Sequence, residues 1–319
     1  MTADTQKIPR ARPSWFSRFW AVVRYEMLWN IRKKKFIGIV ILGFVIASVA
    51  LFLPLILSSV TGQALTSNPD YVVTYSIPAF GLFLFALATA MNSISSEFES
   101  GTIVPLLTKP ISRTMVFLGK LFAAFVIILI TYSMFFVYVI IGGTAVYGAQ
   151  NSLQLVPLGL LGNVITTFIW IAIILTVGSL SRNTLISALA AFGLFLALLI
   201  AVPIVSTFAG PSVALNYVPG SGASGAIGTG QGTVTIGGGP DNLGTNLINY
   251  ALYPSANVNF TKTNIELRGG GQQPLITQTL VYTEPILVVA LRGLGVALAY
   301  IFVFLFIAWY GLKRAQILE

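Results

Sequence analysis

Few side chains in this sequence can do chemistry. Its 319 residues contain no histidine and no cysteine. That removes the usual neutral-pH acid–base group, the commonest metal ligand, thiolate sites and disulfides. A serine nucleophile would have no visible base, and no acidic pair lies inside an apolar stretch. No G-x-x-x-x-G-K-[ST] phosphate loop is present. The glycine run Gly228–Gly239 lacks a following Lys-Ser/Thr, and Gly119-Lys120 lacks the upstream glycine and the hydroxyl residue. The expectation is a chain that is not an enzyme by itself and binds no metal or cofactor.

What remains is chemistry of recognition, concentrated in SSEFESGTIVPLLTKPISRTMVFLGKLF, from Ser95 to Phe122. Glu97 and Glu99 can accept from basic groups. Gly101 permits a turn, and Thr102 can cap a short helix. Pro105 is tolerable in a first turn, where backbone amides lack internal partners. Ile103, Leu106 and Leu107 form one short apolar side, and Pro110 ends the helix. Arg113 and Lys120 then mark a boundary. Taken singly, the acids read as solvated linker charges and the two cations as side chains snorkelling to headgroups.

The elements that must position this segment are membrane spans. Hydrophobic residues make up 56% of the chain and charged ones 8%, with a mean hydropathy of +0.87. Soluble domains carry about 25% charged residues, so lipid is the expected solvent. A span needs roughly 20 apolar residues, and six stretches qualify: Phe36–Val60, Tyr75–Ser95, Thr114–Tyr147, Leu155–Leu180, Thr184–Ala209 and Pro285–Gly311. None has an acidic residue at its centre. Of the eighteen Lys and Arg, fifteen fall in residues 1–35, between spans 2 and 3, between spans 4 and 5, and in the C-terminal tail. Lys262 and Arg268 lie in the opposite loops, with Arg292 near the outer end of span 6. The positive-inside rule therefore predicts both termini in the cytoplasm. The net charge of +9 then faces anionic lipid rather than nucleic acid.

The N-terminal stretch has no apolar core suited to a cleavable signal. Ser14–Ile31 reads as an amphipathic interfacial helix. Trp15, Phe16, Phe19, Trp20, Val23, Met27 and Ile31 recur on one side, while Arg18, Arg24 and Arg32 point to headgroups. Residues 210–284 are expected to form a large extracellular loop. Within it, Gly220–Gly244 reads as glycine-rich and poorly ordered, and Leu243–Tyr253 as a short helix. Asn259-Phe260-Thr261 fits the N-glycosylation pattern.

The pattern E-x-x-x-G-T, an apolar run, K-P-I-S-R and then G-K resembles the signature of ATP-binding-cassette (ABC) exporter permeases of the type-2 class. These are the membrane subunits of type V exporters, including Nos-type permeases. It is carried by Glu97, Glu99, Gly101, Thr102, Leu106, Leu107, Lys109, Pro110, Ile111, Ser112, Arg113, Gly119 and Lys120. Pro105 and the long Gly-rich loop depart from the pattern. The resemblance implies an all-α membrane protein: one permease domain over residues 1–319, with six transmembrane helices. Residues 1–35 would form an interfacial elbow, 36–209 spans 1–5, 285–311 span 6 and 312–319 a cytoplasmic tail. The segment between spans 2 and 3 would be a cytoplasmic coupling helix resting on a separate ATPase subunit, which binds the ATP and Mg²⁺. Glu97 and Glu99 would suit basic groups on that subunit, and Leu106 and Leu107 would fill its cleft. Pro110 and Arg113 would keep the joint to span 3 stiff.

Also implied are a second permease copy or a related permease, a location in the cell membrane of an archaeal or bacterial host, and a substrate path between the two permeases. Ser48, Thr89, Asn92 and Ser187 are candidates for its lining, and apolar spans favour a lipid-like or amphipathic substrate. Three other readings compete: a secondary carrier or channel, an intramembrane enzyme, and a non-transporting mechanotransmission subunit. Carriers usually need ionisable groups near mid-membrane, and no span offers one. Glu284 and Arg292, about two turns apart, read as an interfacial anchor pair.

Overall fold

The computed structural model describes residues 14–62, 68–101, 112–229, 232–266 and 275–314. Helix α1, Trp15–Arg32, begins where Ser14 accepts from the backbone N–H of Ser17. That hydroxyl occupies one of the orphan amides at a helix start. Among the described residues six further helices are long and apolar enough to cross a membrane, counting one that is interrupted. They are α2 (Lys34–Thr61), the interrupted α4 (Ala79–Ala90) with α5 (Ser95–Glu99), α6 (Arg113–Tyr147), α7 (Val156–Ser181), α8 (Thr184–Phe208) and α10 (Ile286–Arg314). Short α3 (Tyr71–Thr74) leads into α4, and α9 (Leu243–Leu252) lies between α8 and α10.

Span 2 breaks at residues 91–94, where polar side chains take over the backbone's hydrogen-bonding role. The Ser95 hydroxyl donates to Met91 O at 2.7 Å, and Ser96 donates to Asn92 O. Such local bonds compete with a continuous helix. Helix α7 is the hub of the bundle: 78% of its most apolar window is buried, against 17% for α2 and 22% for α8. It touches α4, α8, α9 and α10. Hydroxyl contacts bind neighbours where no hydrophobic drive separates helix from lipid. Thr176 Oγ1 donates to Phe304 O at 2.6 Å, and Tyr132 and Thr167 share a 2.7 Å bond. The outward faces of α2, α8 and α10 carry exposed Leu, Ile, Val and Phe, suited to lipid.

The stretch between spans 5 and 6 corrects the all-α expectation. It holds a four-stranded antiparallel sheet in the order β2-β1-β3-β4, formed by β1 (Ser224–Thr229), β2 (Gly232–Gly237), β3 (Asn257–Glu266) and β4 (Leu275–Pro285). Two of these strands come from the glycine-rich stretch expected to lack order. Its glycines serve close approach. A Cβ at Gly225 would stand 2.7 Å from Val258 and 2.9 Å from Phe260, so a side chain there would push the strand off its own core. That core joins Ala223, Ile227, Ile236, Val258 and Phe260 to Ile286 and Val289 at the start of α10. Buried Asn216 holds the entry, accepting from Ala223 N at 2.8 Å.

Helix α9 forms where a short helix was expected, and it descends along α7. A Cβ on Gly162 would fall on the backbone of Gly244, and one on Gly159 would meet Ile248. The helices therefore touch backbone to backbone through small residues. Gly162→Ala should cost about 1–3 kcal/mol through overpacking, read as a lower melting temperature in detergent. Gly193→Ala on α8, where nothing lies within 4 Å, should instead gain up to about 1 kcal/mol of helix propensity.

Candidate functional site

The densest polar contact lies at the end of the bundle that carries α1, α5 and the last turn of α10, here the basic end. Lys120, two turns into α6, extends its ammonium between two carboxylates. Nζ stands 2.5 Å from Glu26 Oε1 on α1 and 2.7 Å from Glu97 Oε1 on α5. Lys120 and Glu26 are buried, and the Glu97 side chain is 19% exposed. An ion taken out of water loses several kcal/mol of solvation, which only close counter-charges offset. Three elements distant in sequence must therefore meet for any of them to rest there.

The approach of α1 has its own cause. Val23, Glu26 and Asn30 form its buried face, and Gly119 on α6 leaves room for Val22, whose Cγ1 lies 2.7 Å from where a Cβ would stand. Asn30 donates to Glu26 O, and Lys33 donates to Asn30 Oδ1 at 2.8 Å while lying over the Trp29 ring. Burial, opposed by Glu26, brings the Lys33 ammonium down to about 8, with Lys120 and Lys35 adding to the lowering. Glu26 thus faces two cations.

The neighbouring charges hold the rest of the joint. Glu99 Oε1 accepts from Thr184 N at 2.9 Å, so a carboxylate sits at the first turn of α8, where the helix dipole favours it. Gly101 has φ +65°, the left-handed turn its residue type permits. On the far side, Ser112 caps α6 by accepting from Met115 N at 3.1 Å. Arg113 Nη1 donates to Leu312 O at 3.2 Å and Lys313 O at 2.8 Å, satisfying carbonyls left over at the end of α10. Trp309 donates to Thr114 Oγ1 beside it. Both flanks of residues 102–111 are therefore clamped, one to α1, span 3 and span 5, the other to span 6. Thr102, Leu106, Leu107 and Pro110, with Pro105 and Lys109, lie outside the described residues.

This joint lies inside a family match that runs almost the length of the chain. The family model described as ABC-2 family transporter protein matches residues 20–317. The chain belongs to the ABC-2 transporter family. Together with the six apolar helices this makes it a multi-pass ABC transporter permease. No curated protein matches the sequence.

Within the ABC-2 permease, three of the four residues suggested for a substrate path hydrogen-bond to backbone carbonyls. Ser48 donates to Phe44 O and shares a 2.6 Å bond with Tyr138. Buried Thr89 donates to Phe85 O, and buried Ser187 donates to Ile174 O. Asn92 is half-buried at the break in span 2. At the sheet end, Asn259 is exposed on β3 and accepts from Thr283 Oγ1. Glu284 and Arg292 form a 2.8 Å ion pair, with the guanidinium near the Tyr217 ring. No cluster of three metal-ligating side chains occurs among the described residues.

Two buried acids escaped sequence reasoning. Glu26 was passed over because the aromatic residues of α1 drew attention to the opposite face. Its signal was being the one acid within the amphipathic stretch Ser14–Ile31, beside Arg18 and Arg24. The second is Asp241. The spans themselves offer no acid at mid-depth, yet the loop brings Asp241 down beside Trp170 on α7.

Lys120→Ala strands two carboxylates and should lower stability by about 3–5 kcal/mol. The triple replacement Glu26→Leu, Lys120→Met and Glu97→Leu should recover most of that loss in the same detergent melting assay. Lys33 gives a pH signature. Its folded value lies below the ordinary 10.5, so the unfolded chain binds more protons between about 8 and 10.5, and stability rises with pH across that window. Lys33→Met should flatten that rise and raise the melting temperature at pH 7.

Proposed function

We propose that this ABC-2 permease is the membrane subunit of an exporter driven by ATP hydrolysed on separate nucleotide-binding subunits. Those subunits hold the ATP and Mg²⁺. Two permeases, identical or related, form the membrane core, and the basic end faces the cytoplasm, as the bias of Lys and Arg favours. The substrate is lipid-like or amphipathic. The observation that carries the reading is the clamping of both flanks of residues 102–111. A segment that receives force from an ATPase must pass it on without yielding. Here the leading flank is tied through Glu97 to Lys120 and α1 and through Glu99 to span 5, and the trailing flank through Arg113 to span 6.

The ion pair with Lys120 supports a role for Glu97 other than direct contact with the ATPase. Glu97 is engaged by Lys120, so its role is to hold the joint rigid. Contact with the ATPase then falls to the apolar residues Leu106 and Leu107 of the intervening segment. Capture and coupling thereby separate. Leu106→Asp with Leu107→Asp should abolish co-purification of the ATPase subunit from mild detergent and leave the melting temperature unchanged. The triple apolar replacement of the triad should retain capture but lower permease-stimulated ATP turnover at least fivefold. Normal capture by the double aspartate variant would remove the coupling role from this segment.

A further inference from the structure

The loop between spans 5 and 6 carries an acid into the bundle. Thr166 on α7 donates to Pro240 O at 2.9 Å, and the adjacent Asp241 is 6% exposed. Trp170 lies about 21 Å along α7 from its Val156 end and about 17 Å from its Ser181 end, at 1.5 Å per residue. Asp241 is therefore held at membrane depth, although no span contains it. An ionisable group at that depth is expensive and calls for a use.

Asp241 is short of partners. Its backbone N–H donates to Gly220 O, but Oδ1 is buried with no hydrogen-bond donor, and the indole N–H of Trp170 is likewise buried without an aligned acceptor. Trp170 on α7 lies close enough for its indole to favour the carboxylate. Among the described residues no Lys or Arg forms an ion pair with it. The carboxyl lines a crevice of about 50 Å³ walled by Trp170, Phe195, Leu198, Leu199 and Val202, with the turn at 220–222 as its lip. Phe195 and Val202 are buried, whereas Leu199 is 45% exposed, so the crevice opens on the outward face of α8. That volume holds a small polar head, since a single water takes roughly 10–15 Å³ by the same measure.

We propose that this crevice binds the ammonium group of an amphipathic amine, with Asp241 as its counter-ion and the outward face of α8 supporting the hydrocarbon chain. An ammonium supplies what the site lacks, a positive charge beside the carboxylate of Asp241. A carboxylate or phosphate would be repelled, and an alcohol would leave the charge unmatched. Apart from Asp241, the lining side chains carry no ionisable group, so selectivity for a cation rests on this one residue. A free alkylamine and the amine headgroup of a membrane lipid share this chemistry.

The test uses the whole chain in phosphatidylcholine nanodiscs with radiolabelled dodecylamine, read by scintillation proximity against empty discs. Wild type should bind saturably above empty discs. Asp241→Asn, nearly isosteric, should weaken binding at least tenfold. Leu199→Trp, at the exposed mouth where folding is not at stake, should weaken it with the acid intact. Labelled dodecanol should show no dependence on Asp241. Competition by added phosphatidylethanolamine identifies the lipid headgroup as the occupant, and its absence identifies a free amine. Equal binding by wild type and Asp241→Asn, or no wild-type binding above empty discs, overturns the proposal. No ATP or ATPase subunit is present, so neither result bears on the exporter reading.

Discussion

A lysine ammonium with no water to solvate it sets the terms for the basic end of this molecule. Lys120 is 4% exposed by its side chain, and a single acid would leave part of its hydrogen-bonding capacity unmet. Two carboxylates, one from α1 and one from the foot of span 2, close around it. Such a triad is not a large net source of stability, because desolvation offsets most of the attraction. Its consequence is geometric. Each charge is costly unless the other two are in place, so α1, α5 and α6 are held in one arrangement. A joint of this kind resists sliding in a way that an apolar contact, indifferent to small shifts, does not.

The other contacts of the joint follow from unmet backbone groups. Glu99 sits at the start of α8, and Arg113 sits at the end of α10. Each places a charge where the helix dipole favours its sign. The two helices so anchored flank α7, the most buried span. A displacement of residues 102–111 would then reach the bundle through helix termini, where hydrogen bonds are directional, and be carried along rigid helices.

At the opposite end the chain builds order from residues that look disorderly. Glycines let β1 lie against Val258 and Phe260, and let α9 lie against the backbone of α7. The descent of α9 and the turn before it is what brings Asp241 beside Trp170. An open loop would have left that acid in water. The sheet and α9 together seat on α10 and α7, so the elaborated loop and the membrane bundle share packing surfaces.

The sequence by itself determined the six spans to within a few residues, the start of α1 at Ser14, the short helix near Leu243, and the left-handed turn at Gly101. These are local properties: apolar run length, capping chemistry and glycine's freedom at positive φ. The segment it singled out, Ser95–Phe122, supplies Glu97, Glu99, Arg113 and Lys120 to the charged joint, because these residues lie close together in sequence. What the tertiary structure decided was who faces whom. Glu97 and Glu26 were legible as acids but not as the partners of Lys120, because a salt bridge spanning 94 residues of sequence leaves no periodic trace. The sheet was hidden for a related reason. Strands are recognised by side-chain alternation, and in β1 and β2 glycines take two of the six positions each, with a role at Gly225 fixed by the neighbours that approach it. Asp241 was read as a loop residue because depth in a membrane belongs to the fold, and only the packing of α9 against α7 assigns it.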